Sequence, residues 1–166
     1  MSVFLDRHRE LAALAERYRS GKAEFVVLYG RRRVGKSELI DRFLQSGNGI
    51  HLLAREESKA LQLRKFSRDL GDYFGDAFLK RTSFSDWDSF FEYVVQRSGS
   101  RFVLAIDEFP YLIKEDPSLP SIIQGYWDTH LKETQVFLLL SGSSISMMES
   151  STMDYKSPLF GRRTGQ

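Results

Sequence analysis

Gly30-Arg31-Arg32-Arg33-Val34-Gly35-Lys36-Ser37 has the residue types and spacing that wrap backbone amides around a phosphate, G-x-x-x-x-G-K-[ST]. Gly30 lets the chain turn, and Gly35 lets backbone approach an anion with no Cβ in the way. The N–H groups between them converge on a phosphate oxygen, and a helix starting at Lys36 adds its positive N-terminal end. Lys36 can reach β- and γ-phosphates, while Ser37 offers a hydroxyl to Mg²⁺. Gly30 to Glu38 is therefore the candidate nucleotide-contacting run. Arg31, Arg32 and Arg33 either add charge near the phosphates or are simply solvated.

A second constellation follows the apolar run Phe102–Ile106, which ends in Asp107 and Glu108. Two carboxylates then stand at the C-terminal edge of a buried strand, where open parallel sheets bind ligands. Asp107 is suited to hold Mg²⁺, usually through water, because a hard cation prefers carboxylate oxygen. Glu108 is suited to orient and deprotonate an attacking water. The plainer reading of the pair is helix capping or solvation. A third feature is Ser141-Gly142-Ser143-Ser144 after the run Val136–Leu140. Ser141 or Ser143 can supply a sensor hydroxyl to the γ-phosphate or the water, or the serines can cap a helix at Ile145–Met148.

The elements that must position these groups are legible in outline. Phe25–Tyr29, Ile50–Leu53, Phe102–Ile106 and Val136–Leu140 are short apolar runs, as expected of strands in a buried parallel sheet. Helical patterns lie between them. Asp6 can cap a helix whose Leu11, Leu14 and Tyr18 share a face and which ends at Gly21. Leu39, Ile40, Phe43 and Leu44 form a face after the phosphate loop, and Leu63, Phe66, Leu70 and Tyr73 form another. Ser85 with Asp88 reads as a capping box ahead of Trp87, Phe90, Phe91 and Val94. Pro120 suits a first helical position before Ile123, Trp127 and Leu131. The aromatic residues on these helices read as core. Strands separated by helices predict a three-layer α/β domain with a mainly parallel sheet.

Composition narrows the class. The 166 residues match one domain, and 42% hydrophobic with 28% charged is ordinary for a globular chain. No apolar stretch reaches the roughly 18 residues a spanning helix needs. Met1–Ser20 is rich in charge and does not read as a secretory signal, so the expected location is cytoplasmic. With no cysteine, disulfides, thiol nucleophiles and cysteine-bound zinc are excluded. His8, His51 and His130 are scattered and make no metal-ligand spacing, and a net charge of +2 does not argue for nucleic acid.

The run Ile50–Leu53 places an extra strand between the two motif strands, and with Glu108 this points to the additional-strand, catalytic-glutamate (ASCE) division of phosphate-loop NTPases. Asn48 is the only asparagine, so no N-K-x-D guanine-reading motif exists and ATP is the expected nucleotide. Taken together, the residues resemble the archaeal-type ATPase family, a branch of the AAA+/STAND-like NTPases. The resemblance is carried by Phe4-Leu5-Asp6-Arg7 with Glu10-Leu11, by LYGRRRVGKSELI, FSDW, AIDEFPYL and LLLSGSSISMME, and by SPLFGRRTGQ. It implies ATP hydrolysis with Mg²⁺, an N-terminal segment Phe4–Leu11 against the adenine, and an arginine finger at Arg162 or Arg163, serving its own or a neighbouring subunit. It further implies a core order of 5-1-4-3-2, with the sequence stopping before strand 5, a lid and a winged-helix region. The expected domain is thus residues 1–166, a truncated ATPase core. Its expected partners are ATP and a second copy or another protein, with no membrane, and with DNA binding confined to the absent C-terminal regions. Two other readings compete with hydrolysis: a nucleotide-dependent switch with little turnover, and a small-molecule kinase using the same loop.

Overall fold

The computed structural model describes residues 8–30, 35–45, 48–153 and Leu159. Four strands, β1 (Glu24–Tyr29), β2 (Gly49–Leu53), β3 (Phe102–Asp107) and β4 (Val136–Gly142), form one parallel sheet in the order β1-β4-β3-β2. This is the expected order without strand 5. Every residue of the central β3 and β4 is buried, which is why their sequences are apolar almost throughout. The outer β2 alternates in burial, so His51 is only half covered.

Side chains alternate across the sheet, and the two faces build two cores. Val103 and Ala105 of β3 pack with α1 (His8–Tyr18) and α2 (Lys36–Gln45), through Leu14, Leu39, Ile40 and Phe43. Phe102, Leu104 and Ile106 face the larger core, with α3 (Lys59–Phe74), α5 (Trp87–Arg97) and α7 (Leu119–Thr129). Trp87 lies edge-on to Phe66 and Phe90 at centroid distances of 6.0 and 5.2 Å, the geometry aromatic quadrupoles prefer. Shorter helices, α4 (Ala77–Arg81), α6 (Pro110–Glu115) and α8 (Ile145–Met148), turn the chain between these layers. By the same alternation, Asp107 continues the β3 face that α2 covers. No helix among the described residues is long and apolar enough to cross a membrane.

Local expectations shift in four places. The capping box of α5 is Asp86 with Ser89, not Ser85 with Asp88: the Asp86 carboxylate accepts from Ser89 N at 2.8 Å, and Ser89 Oγ returns to Asp86 N. A carboxylate is the stronger acceptor for a helix N-terminus, and Ser85 only reaches Ser89 Oγ at 3.3 Å. α7 begins one residue earlier, at Leu119, leaving Pro120 second. Tyr73 is exposed at 37%: it continues the stripe of Leu63, Phe66 and Leu70 but lies at the margin of the core. Strand β4 continues through Ser141 and Gly142, because its ladder with β1 runs on to Tyr29. The expected cap at Asp6 lies outside the described residues.

Hydrogen bonds from Ser89 hold the Asp86 carboxyl below the usual carboxylate range. Replacing Asp86 by alanine is expected to destabilise the fold by about 1 kcal/mol in urea unfolding at neutral pH. Because the folded value is depressed, this contribution is present above the ordinary aspartate pKa and is lost as pH falls through the lower folded one. A variant as stable as the parent at neutral pH would show that the cap contributes nothing.

Candidate functional site

Strand β1 delivers Gly30 to the C-terminal edge of the sheet, and α2 starts at Lys36 on the far side of the loop. Gly35 sits at φ 83°, in the left-handed region where a Cβ is strained, and its carbonyl accepts from Leu39 N at 2.8 Å to open the helix. The Lys36 stem is buried to 5% exposure, and its Nζ donates to the Gly30 carbonyl at 2.9 Å. The ammonium is thereby stationed at the start of the loop. Ser37 and Glu38 follow in the exposed first turn. Arg31, Arg32, Arg33 and Val34 lie outside the described residues, as do Arg162, Arg163 and the segment Phe4–Arg7.

At the end of β3, Asp107 is 1% exposed yet surrounded by donors. Its Oδ1 accepts from Ser141 Oγ and from Glu108 N, both at 3.0 Å. Its Oδ2 accepts from Ser37 Oγ and lies 2.9 Å from His51 Nε2. Burial pushes the Asp107 carboxyl up. The hydrogen bonds from His51, Ser37 and Ser141, with the charge of His51, outweigh that and hold it below the usual range. His51 shows the converse balance. Burial opposes its charge, but hydrogen bonds and attraction to Asp107 and Asp41 raise its pKa above the ordinary histidine value.

Glu108 has φ 58°, the only positive φ of a non-glycine residue among those described. A glutamate there costs on the order of 1–3 kcal/mol and persists only where its surroundings impose it. They do so on both sides. Phe109, fully buried, donates its N–H to the Ser141 carbonyl at 2.8 Å. On the other flank, Glu108 Oε1 accepts from Ser143 N at 3.0 Å and from Ser143 Oγ at 2.8 Å. Gly142 permits the approach, since a Cβ there would fall 2.6 Å from Pro110 Cδ and 2.7 Å from Met148 Sδ.

Gly35, Lys36, Ser37, Glu38, Asp107, Glu108 and Ser143 together line an open cleft of about 310 Å³. Thus the structure brings Gly35, Lys36, Ser37 and Glu38, both carboxylates and Ser143 to one place. The two serines divide their tasks: Ser141 holds Asp107, and Ser143 holds Glu108. His51 and Asp41 belong to the same cluster, and scanning for motifs misses them. The signal was present, because His51 is the one polar residue within the run Ile50–Leu53. Among the described residues no three His, Cys, Asp or Glu side chains form a metal cage. The oxygen pair Ser37 and Asp107 instead fits a cation that takes one or two protein ligands and shares the rest with phosphates and water, which is the habit of Mg²⁺. A second cavity of about 220 Å³ lies between α1, β1 and α2, walled by Ala13, Leu14, Val26, Leu28 and Leu39. Glu10 also lines it, and its buried Oε1 has no hydrogen-bond partner among the described residues.

Residues 4–166 match the family described as "ATPase domain predominantly from Archaea". An uncharacterized protein of Methanocaldococcus jannaschii is 38% identical over 163 residues, covering 98% of this chain and 35% of its own length. The chain thus spans about a third of that relative. Among solved structures, the Walker-type ATPase of Pyrococcus abyssi superposes with TM-score 0.65 at 22% identity, covering 96% of this chain and 51% of its own. The ORC2 protein of Aeropyrum pernix, solved in ADPNP-ADP complexes, gives TM-score 0.62 at 14% identity, covering 89% and 44%. At those identities the two likenesses establish the fold.

Proposed function

We propose that this chain, which belongs to the family of ATPase domains found predominantly in Archaea, binds ATP with Mg²⁺ and hydrolyses it with Glu108 as the base. The family and the fold make it a nucleotide-binding ATPase domain. The observation that carries the finer reading is the single cleft joining Gly35, Lys36 and Ser37 to Asp107, Glu108 and Ser143.

In this reading the loop from Gly30 to Glu38 wraps the phosphates, and Lys36 balances charge on the β- and γ-oxygens. Ser37 and Asp107 would hold Mg²⁺, which when bound would supply charge neutralisation to the phosphates. Glu108 takes a proton from the water that attacks in line, with Ser143 orienting its carboxylate. Arg162 or Arg163 supplies the finger. The adenine fits the apolar cavity beside α1, lined by Arg9 and Glu10 of the N-terminal segment. There Glu10 Oε1, which has no hydrogen-bond partner among the described residues, is an acceptor that can take the adenine amino group. We also assign residues 1–166 to the ATPase portion of a longer protein, with self-association or DNA contact as properties of that whole.

Incubated with ATP and Mg²⁺, the protein is expected to release ADP and phosphate, to stop when the metal is chelated, and to resume when it is restored. Phosphate release indifferent to chelation would overturn the metal-assisted reading. The switch reading has one observation in its favour: Ser143 occupies Glu108 Oε1 with two hydrogen bonds. Single-turnover kinetics separate the two, since a switch retains its ADP long after cleavage.

A further inference from the structure

Four side chains from two layers form a continuous polar chain at the edge of the cleft. Ser37 and Asp41 stand one turn apart on the same face of α2. His51 and Asp107 are diagonal neighbours on adjacent strands, because His51 is paired with Ala105 in the ladder. Ser37 Oγ donates to Asp107 Oδ2, His51 Nε2 lies 2.9 Å from that oxygen, and His51 Nδ1 lies 2.7 Å from Asp41 Oδ1. The imidazole is thus a strut between the helix that follows the phosphate loop and the carboxylate that ends β3.

An ionised carboxylate only accepts hydrogen bonds, so the contact with buried Asp107 requires a hydrogen on His51 Nε2. That bond has a directional consequence. Ser141 and Glu108 N grip Oδ1, the oxygen turned into the sheet. His51 fixes Oδ2, the oxygen shared with Ser37, and so sets the rotation of the carboxylate about its last bond. At a site whose cation takes few protein ligands, a misrotated carboxylate removes much of the protein's hold. Outer partners of this kind are worth about 10–100-fold in metal affinity.

We propose that His51 is a positioning residue for the nucleotide-bound Mg²⁺, acting by orienting Asp107 Oδ2 from the Asp41 side of α2. The inference rests on the proposed ATP and Mg²⁺ site but assigns a role to residues outside the phosphate loop and the paired acids.

Two substitutions dissect the ring. The amide nitrogen of glutamine overlays the Nε2 position and keeps a donor to Asp107. That of asparagine overlays Nδ1 and keeps only the Asp41 contact. Mn²⁺ serves as the probe, titrated by electron paramagnetic resonance into full-length protein holding a non-hydrolysable ATP analogue. His51→Asn is expected to weaken Mn²⁺ binding about tenfold or more, while His51→Gln stays near the parent. Metal-free affinity for a fluorescent ATP analogue should be unchanged in both, a readout that a merely structural loss would move. Asp41→Asn, at an exposed side chain where folding is not at stake, should weaken Mn²⁺ in the same direction. Parent-like Mn²⁺ affinity in His51→Asn or in Asp41→Asn would overturn the proposal, and so would equal losses in His51→Asn and His51→Gln. A parent that binds the analogue but takes up no Mn²⁺ would instead overturn the metal site beneath it.

Discussion

Glu108→Gln is expected to lower the rate of ATP hydrolysis by about 10²–10⁴ while leaving ATP affinity nearly intact. The variant is well controlled by the structure. Glutamine keeps an oxygen to accept from Ser143 N and Oγ, and it meets the same left-handed backbone strain at φ 58° as glutamate. Thermal stability should therefore hardly change, and what disappears is the basic carboxylate. Steady-state phosphate release beside a nucleotide titration checks both halves. Turnover equal to the parent would remove Glu108 from the chemistry.

The second large effect is on binding. Lys36→Ala removes a cation whose stem is buried and whose ammonium is stationed against the Gly30 carbonyl at 2.9 Å. A hydrogen bond involving a charged group contributes about 1.5–3 kcal/mol, so affinity for a fluorescent ATP analogue should fall about tenfold to a hundredfold. Lysine is specific here because a compact ammonium on a flexible stem can leave the carbonyl for phosphate without disturbing the loop. Unchanged affinity in the titration would count against the phosphate-loop assignment itself.

Much of this architecture was legible in the residues. Strands β3 and β4 are buried on both faces, so apolar continuity alone marks them, and the phosphate loop and paired acids are local in sequence. What escaped notice depended on partners far along the chain. His51 meets Asp107 across 56 positions and offers no local spacing to find. Ser141 and Gly142 resemble a turn, yet ladder bonds to β1 keep them extended, and no propensity outweighs a neighbouring strand. The start of α5 was displaced by one residue because two adjacent polar residues can cap and only the carboxylate wins. Tyr73 kept the helical stripe but its ring lies at the margin of the core, where periodicity and burial part company.

The left-handed backbone at Glu108 bears on what the site costs the fold. Glycine at that position would remove the strain and leave the Phe109 N–H to Ser141 carbonyl bond untouched, at the loss of the two hydrogen bonds from Ser143. If Glu108 is the base proposed above, the strain at residue 108 is carried for chemistry and not for the fold.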